Sequence, residues 1–203
     1  MPKLRSSHPS RAADAPTAAA VVTIRRIQPI QPHTAQPTMT PRVTIQTQDF
    51  DLSTEVATLR SGNPGVGAVC SFVGTVRDRN LLQGVVPASP TVMSMELEHY
   101  PGMTEQAIEA MVDEAHRRFD IVGARVIHRV GLLQPMDQIV LVAVASAHRG
   151  ESFQACEFIM DYLKSHAPFW KKEQTPEGAR WVDARVSDDA AAARWGLPGQ
   201  GVR

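Results

Sequence analysis

The spacing of apolar and polar residues divides the middle of the chain into strands and helices. Seven segments carry continuous or alternating apolar patterns that predict strands: 43–46, 67–76, 92–99, 124–130, 139–147, 169–174 and 180–184. Three segments repeat apolar residues every three or four positions and predict helices: 51–60, 103–119 and 151–166. The order of these elements predicts an α+β fold, with a mixed or antiparallel sheet and helices packed on one face.

The two ends of the chain lack such a pattern. Residues 1–42 hold seven of the 15 prolines and predict a disordered extension ahead of a domain at 43–186. Their arginine-rich, acid-poor composition is also typical of an organellar transit peptide, although the prolines disfavour that interpretation. Residues 187–203 are expected to form a loose tail, and residues 77–90 a long loop.

Composition and charge limit the function classes. The 203 residues are 43% apolar, which is enough for one core. The net charge is zero, but residues 1–42 carry +5 and the remainder carries −5. An acidic body argues against a general nucleic-acid-binding protein. Apolar runs near the N-terminus are too short for a membrane span or a secretory signal, so we expect a cytoplasmic protein without membrane attachment.

Neither a metal site nor a cofactor is predicted. The two cysteines, Cys70 and Cys156, are too far apart for a CxxC pair and too few for a disulfide scaffold or a cysteine-rich zinc site. His148 and His166 have no carboxylate at a ligand spacing, and Glu96 and Glu98 lie on the opposite strand face from His99. The glycines form no nucleotide-binding fingerprint. Both cysteines have apolar neighbours in sequence and are expected to fill the core.

A candidate anion site lies where the strand at 139–147 passes into a helix. His148 and Arg149 stand at the start of that helix, whose free amides attract anions. Arg77 follows the strand at 67–76. If the two strands are neighbours, the three side chains converge on one anionic group. The alternative is that both arginines form surface ion pairs and His148 caps the helix.

Two lysines form the second candidate. Met160 and Lys164 lie one helical turn apart, and Pro168 ends the helix. In the strand that follows, Phe169 and Lys171 share a face. Lys164 and Lys171 can therefore meet at the corner between helix and strand, where each ammonium group favours deprotonation of the other and makes one a usable acid, base or nucleophile. The alternative is a solvated lysine face.

Several longer stretches carry a specific resemblance. They are FVGTVRDRN (72–80), LEHYPGMTEQAI (97–108), VIHRVG (126–131), SAHRGESF (146–153), FIMDYLKSHAPFWKKE (158–173) and EGARWVDA (177–184). In order and separation these stretches resemble the catalytic, larger subunit of molybdopterin synthase. The resemblance runs from about residue 66 to residue 195 and covers about two-thirds of the chain.

The resemblance implies a reaction, partners and a fold. Members of this family are sulfurtransferases that convert cyclic pyranopterin monophosphate to molybdopterin by installing its dithiolate. The sulfur arrives as a thiocarboxylate on the C-terminal Gly-Gly tail of a small ubiquitin-like subunit. The family implies a homodimer at the centre of a heterotetramer with two small subunits, and an α+β fold of the α/β hammerhead type. Capture of the partner's tail in a channel is a known mode of peptide recognition.

The resemblance also assigns roles to residues. It implies that Lys164 and Lys171 are catalytic. The remaining site residues, which are expected to bind the pterin phosphate or to wall its pocket, are Phe72, Arg77, His148, Arg149, Met160, Lys172, Glu173 and Arg185.

Two departures from the family keep an alternative open. Thr75 stands where some relatives have a lysine, and the loop after Asn80 is longer than in compact members. A non-catalytic homologue that binds only the pterin or the small subunit is therefore the main alternative. A lysine enzyme of another class that forms a Schiff base is a more remote one.

Overall fold

The computed structural model describes residues 40–78, 91–182 and 186–197. The predicted extension at 1–42 lies outside the described residues except for its last three, and so does most of the predicted loop. The described elements are β1 (Val43–Gln46), α1 (Leu52–Arg60), β2 (Ala68–Thr75), β3 (Ser94–His99), α2 (Met103–Arg118), β4 (Ile121–Arg129), β5 (Gly131–Leu133), β6 (Gln138–Ser146), α3 (Arg149–Ser165), β7 (Phe169–Thr175), β8 (Gly178–Val182) and α4 (Val186–Ala193).

The strands form two four-stranded sheets, and the predicted α+β class is confirmed. Sheet A has the order β1-β4-β6-β2, in which β1 is parallel to β4 and the other pairs are antiparallel. Sheet B has the order β5-β3-β7-β8 and is antiparallel throughout. The pattern predicted a loop where β5 lies, because a strand of three residues is too short to show alternation.

Helices cover both faces of sheet A, which differs from the predicted packing on one face. Val126 and Val142 face the larger core, which α2 and α3 complete. Their neighbours Ile127 and Leu141 face the opposite side, where α1 packs through Leu52 and other apolar residues. A strand buried on both faces needs no polar positions, which explains the continuous apolar run of β6.

The end of the described chain packs against the core, although a loose tail was predicted from residue 187. Trp195, just after α4, makes edge contacts with the rings of Phe119 and Phe158 at centroid separations of 6.0 and 5.5 Å. Its indole Nε1 donates to Asp161 on α3 over 2.7 Å, and Arg194 donates to the same carboxylate oxygen over 2.6 Å. One tryptophan and one half-buried carboxylate therefore anchor α4.

The two sheets meet at the link between α3 and β7. The ring of Phe169 in sheet B stacks on the imidazole of His128 in sheet A, with centroids 3.8 Å apart. The preceding carbonyl, of Pro168, accepts a hydrogen bond of 3.3 Å from the buried hydroxyl of Thr104 at the start of α2. These contacts fix the corner at which the chain leaves α3 and enters β7.

None of the helices in the described ranges is long and apolar enough to span a membrane.

We expect Trp195→Ala to lower the free energy of unfolding by about 2–3 kcal/mol, because it removes an aromatic anchor of α4. Trp181→Ala is the matched control: Trp181 is 55% exposed, and we expect its removal to cost less than about 1 kcal/mol. Urea denaturation followed by circular dichroism measures both values. Equal losses in the two variants would contradict the anchoring role.

The stack on His128 predicts a pH dependence of stability. Burial lowers the pKa of His128 from 6.5 to about 4, despite an opposing hydrogen bond from its ring to the Arg129 carbonyl. Between pH 6.5 and pH 4 the unfolded state therefore binds a proton that the folded state does not. As the pH is lowered from 6.5 to 4, we expect the free energy of unfolding to fall by up to about 3 kcal/mol. Above pH 6.5, His128 should add no pH dependence to the stability.

His128→Phe keeps an aromatic ring against Phe169 but cannot titrate. Urea denaturation at a series of pH values measures how the free energy of unfolding depends on pH. Between pH 6.5 and pH 4, we expect the variant to lack the decrease that His128 causes in the wild type. The same slope in both proteins would show that His128 is not its source.

Candidate active site

A cavity of about 750 Å³ opens at the corner between α3 and β7. It is lined by the end of β2, the last turn of α3 and the start of β7, with contributions from β3, β4 and β6. Phe72, Met160, Lys164 and Lys171 all line it. The structure therefore brings the predicted lysine pair and both predicted apolar walls to one cavity.

Lys164 lies in the last turn of α3, where a positive charge interacts favourably with the helix dipole. Its side chain is exposed and faces the cavity. The helix ends at Ser165 because Pro168 cannot continue it, and β7 begins immediately afterwards. The short link between the elements explains why two lysines seven positions apart reach the same space.

Lys171 is held by a buried carboxylate. On β7 it shares a face with Glu173, which is 1% exposed. The Lys171 Nζ atom lies 3.1 Å from Glu173 Oε1, and Arg180 Nη2 on β8 donates to Glu173 Oε2 over 3.0 Å. Glu173 thus reaches the cavity wall as the ion-pair partner of two cations.

Lys172 does not line the cavity, although the resemblance placed it in the pterin site. It lies on the opposite face of β7 from Lys171, because successive side chains of a strand alternate. Its Nζ atom lies 5.5 Å from the centroid of the Trp181 ring and 3.9 Å from Glu96 Oε2. In this protomer it belongs to the outer face of sheet B.

The predicted convergence of Arg77, His148 and Arg149 does not occur within the chain. Arg77 lines the cavity, but His148 and Arg149 do not. The strands β2 and β6 are neighbours, as the prediction required, but they are antiparallel, with Ala68 opposite Ser146. Arg77 follows one end of this pair and His148 follows the other, about 25 Å away for strands of eight residues.

Sequence reasoning did not assign two histidines to the cavity. His128, a buried residue of β4, lines the cavity beneath Phe169. His166 caps α3 and also lines it, with its Nδ1 atom 2.7 Å from Ser165 Oγ. The sequence could have assigned His166 to the cavity, because it lies two residues after Lys164. No local feature of the strand that contains His128 indicates that this histidine lines a cavity.

The charges around the cavity favour an anionic ligand. Among the described lining residues, Arg77, Lys164 and Lys171 carry positive charge at neutral pH and Glu173 carries negative charge. Within the part of the chain that the structure describes, no three histidine, cysteine or acidic side chains are grouped as metal ligands. Arg185, which the resemblance placed at the site, lies outside the described residues.

The cysteines are not placed as sulfur nucleophiles. Cys156 is buried on α3, and burial raises the pKa of its thiol far above the ordinary value. Its Sγ atom contacts the Val142 carbonyl at 3.7 Å. Cys70 is half-buried on β2, and both cysteines are free thiols. Neither belongs to the cavity lining.

Comparison with known proteins places this geometry in a family. Residues 45–166 match the family model described as MoaE protein. The molybdopterin synthase catalytic subunit of Ralstonia nicotianae is 64% identical over 157 residues, which cover 77% of this chain and 85% of that protein.

Solved structures give the same assignment. The molybdopterin biosynthesis MoaE protein from Burkholderia ambifaria matches with a TM-score of 0.65 and 56% identity, covering 78% of this chain and 99% of that one. Molybdopterin synthase from Staphylococcus aureus matches with a TM-score of 0.61 and 27% identity, covering 71% and 98%. The chain therefore belongs to the MoaE family, whose matched relatives carry the name molybdopterin synthase catalytic subunit.

Proposed function

We propose that this protein is the catalytic subunit of a molybdopterin synthase. It transfers sulfur from the C-terminal thiocarboxylate of a small ubiquitin-like subunit to cyclic pyranopterin monophosphate and so builds the dithiolate of molybdopterin. The observation that carries the proposal is the presence of Lys164 and Lys171 in one cavity with Arg77. We place the reaction in the cytoplasm, and the catalytic domain at residues 43–186 together with α4 and Trp195, which pack against its core.

The cavity suits both reactants, because each is an anion. The pterin carries a cyclic phosphate and the carrier tail ends in a thiocarboxylate, so three cationic side chains can hold them in one place. A Gly-Gly tail has no side chains and can enter a confined space. The sulfur comes from the partner, which accords with the absence of Cys70 and Cys156 from the residues that line the cavity.

Lys164 and Lys171 are assigned the proton transfers and charge stabilisation. Their ammonium groups can protonate a leaving oxygen, stabilise the oxyanion of a thioester or thiohemiketal-like adduct, and assist the opening of the cyclic phosphate. Arg77 binds the phosphate. Phe72 and Met160 form apolar walls beside the pterin. Glu173 acts as the fixed partner of Lys171, because its carboxylate is already engaged by two cations.

His148 and Arg149 act on the neighbouring protomer of a homodimer. They lie at the far end of β6 from the Arg77 of their own chain, so they can complete a phosphate site only from a second copy. Both side chains are exposed at the start of α3 and are available for such a contact. Arg185 is assigned to the same substrate site from the resemblance.

The direct test combines the purified chain, the thiocarboxylated small subunit and the pterin phosphate. We expect the dithiolate product to form, which mass spectrometry detects after trapping of its thiols. Binding of the small subunit or the pterin without product would instead identify a non-catalytic homologue. Reduction by borohydride with covalent trapping of a carbonyl substrate would indicate a Schiff-base enzyme.

We expect Lys164→Ala and Lys171→Ala each to lower kcat by about 10²–10³, because each removes a group that acts on the reacting atoms. Product formation under saturating small subunit measures the effect. Circular dichroism checks that the variants remain folded.

Lys172→Ala is the matched control, since Lys172 adjoins Lys171 but lies on the outer face of β7. We expect its kcat to stay within about threefold of the wild type. Full activity in both Lys164→Ala and Lys171→Ala would refute the assignment of the chemistry.

We expect Arg77→Ala to weaken binding of the pterin phosphate by about tenfold, because a charge-assisted contact to the phosphate is lost. Arg149→Ala should also weaken binding of the pterin phosphate, because Arg149 is proposed to contact the phosphate bound by the neighbouring protomer. Calorimetric titration of the pterin phosphate measures both, with Arg117→Ala on α2 as the control, whose affinity should not change. An unchanged affinity in Arg77→Ala would remove Arg77 from the phosphate site.

A further inference from the structure

One buried carboxylate serves two cations at the wall of the cavity. Glu173 is 1% exposed, and the residue opposite it on the neighbouring strand β3 is the buried, apolar Met95. Its two oxygens are divided: Oε1 lies 3.1 Å from Lys171 Nζ, and Oε2 accepts from Arg180 Nη2 over 3.0 Å. An ionised carboxylate in such surroundings requires compensating positive charge, and both cations supply it.

The hairpin fixes Arg180 in this position. Arg180 stands directly opposite Glu173 in the β7–β8 register, and Lys171 stands opposite Val182. The turn between the strands is closed by the Thr175 hydroxyl, which donates to the Gly178 carbonyl over 2.9 Å. Gly178 has a φ of 123°, a conformation that favours glycine. The register of the hairpin therefore directs the guanidinium to the far oxygen of Glu173.

Of the two cations that contact Glu173, Lys171 lines the cavity and Arg180 does not. Lys171 lines the cavity and its side chain is 29% exposed. Arg180 is not among the residues that line the cavity, and its side chain is 45% exposed. The guanidinium therefore acts on the site through Glu173 rather than by contact with a ligand in the cavity.

We infer that Arg180 is a positioning residue for Lys171: by holding Oε2 of Glu173, it restricts the Lys171 ammonium to Oε1 and keeps that ammonium available to the substrate. The inference rests on the proposed function, since it assigns a helper to a lysine proposed to be catalytic. Without Arg180, Oε2 would lose one of its cationic contacts, and more of the negative charge of Glu173 would act on Lys171. The ammonium would then be drawn towards Glu173 and away from a ligand in the cavity.

The test measures the reactivity of Lys171 in the full-length chain. A short pulse of acetic anhydride labels free amines, and fragment-ion mass spectrometry separates the adjacent Lys171 and Lys172. In Arg180→Ala we expect labelling of Lys171, relative to Lys164 in the same sample, to fall by about threefold to tenfold. Arg180→Lys keeps a cation beside Oε2 and should restore labelling to within about twofold of the wild type.

Kinetics supply the second readout. We expect Arg180→Ala to lower kcat for sulfur transfer about tenfold while KM for the pterin changes less than about twofold, because the loss falls on the reacting group. Arg117→Ala is the matched control: it removes an arginine with a 66% exposed side chain from an ion pair with Glu114, far from the cavity lining. It should change neither readout.

Unchanged or increased labelling of Lys171 in a folded Arg180→Ala protein would overturn the inference, whatever the activity. If Arg180→Ala fails to fold by circular dichroism, Arg180→Gln carries the same test with the same expected direction. Labelling requires no turnover, so the two proposals fail separately. Absence of product from the wild type would reject the proposed function, and the labelling result would still decide the role of Arg180.

Discussion

The ring of Phe169 lies against the imidazole of His128, with centroids 3.8 Å apart, where the two sheets meet. This stack sets the direction in which the chain leaves α3 and enters β7. Lys164 lies just before the corner and Lys171 just after it, so the contact determines whether the two amines share a space. The ring of His128 stays neutral above pH 4 because it is buried, which keeps a further positive charge out of the cavity wall.

The two faces of strand β7 have different roles: one faces the cavity, and the other lies on the outer side of sheet B. Alternation along β7 directs Lys171 and Glu173 inward, and it directs Lys172 outward against the Trp181 ring. Arg180 on the neighbouring strand also pairs with the buried carboxylate of Glu173 and helps to balance its charge. The cations at the cavity favour an anionic ligand such as a phosphate or a carboxylate. Glu173, which lies behind them, holds the ammonium group of Lys171 in place.

Local patterns were sufficient where the relevant contacts are local. The α+β class followed from the periodicity of each element, and the meeting of Lys164 with Lys171 followed from a helix end beside a short strand. Convergence of Arg77, His148 and Arg149 within one chain was predicted wrongly, because the direction in which β2 pairs with β6 is not encoded in either strand alone. Helix α4 was missed because its main anchors, Trp195 and Asp161, lie 34 positions apart in sequence. Alternation places Lys172 on the opposite face of β7 from Lys171, so its role in the pterin site stays a prediction from the resemblance.

Protection of the lysines by the small subunit shows whether the carrier tail enters the cavity that Lys164 and Lys171 line. The chain is pulsed with an amine-reactive reagent, with and without saturating thiocarboxylated small subunit, and each lysine is quantified by fragment-ion mass spectrometry. We expect Lys164 and Lys171 to lose reactivity together when the carrier tail occupies the cavity, while Lys172 on the outer face of β7 retains more of its reactivity. If the carrier binds and Lys164 and Lys171 remain as reactive as before, the cavity is not the place where sulfur is transferred.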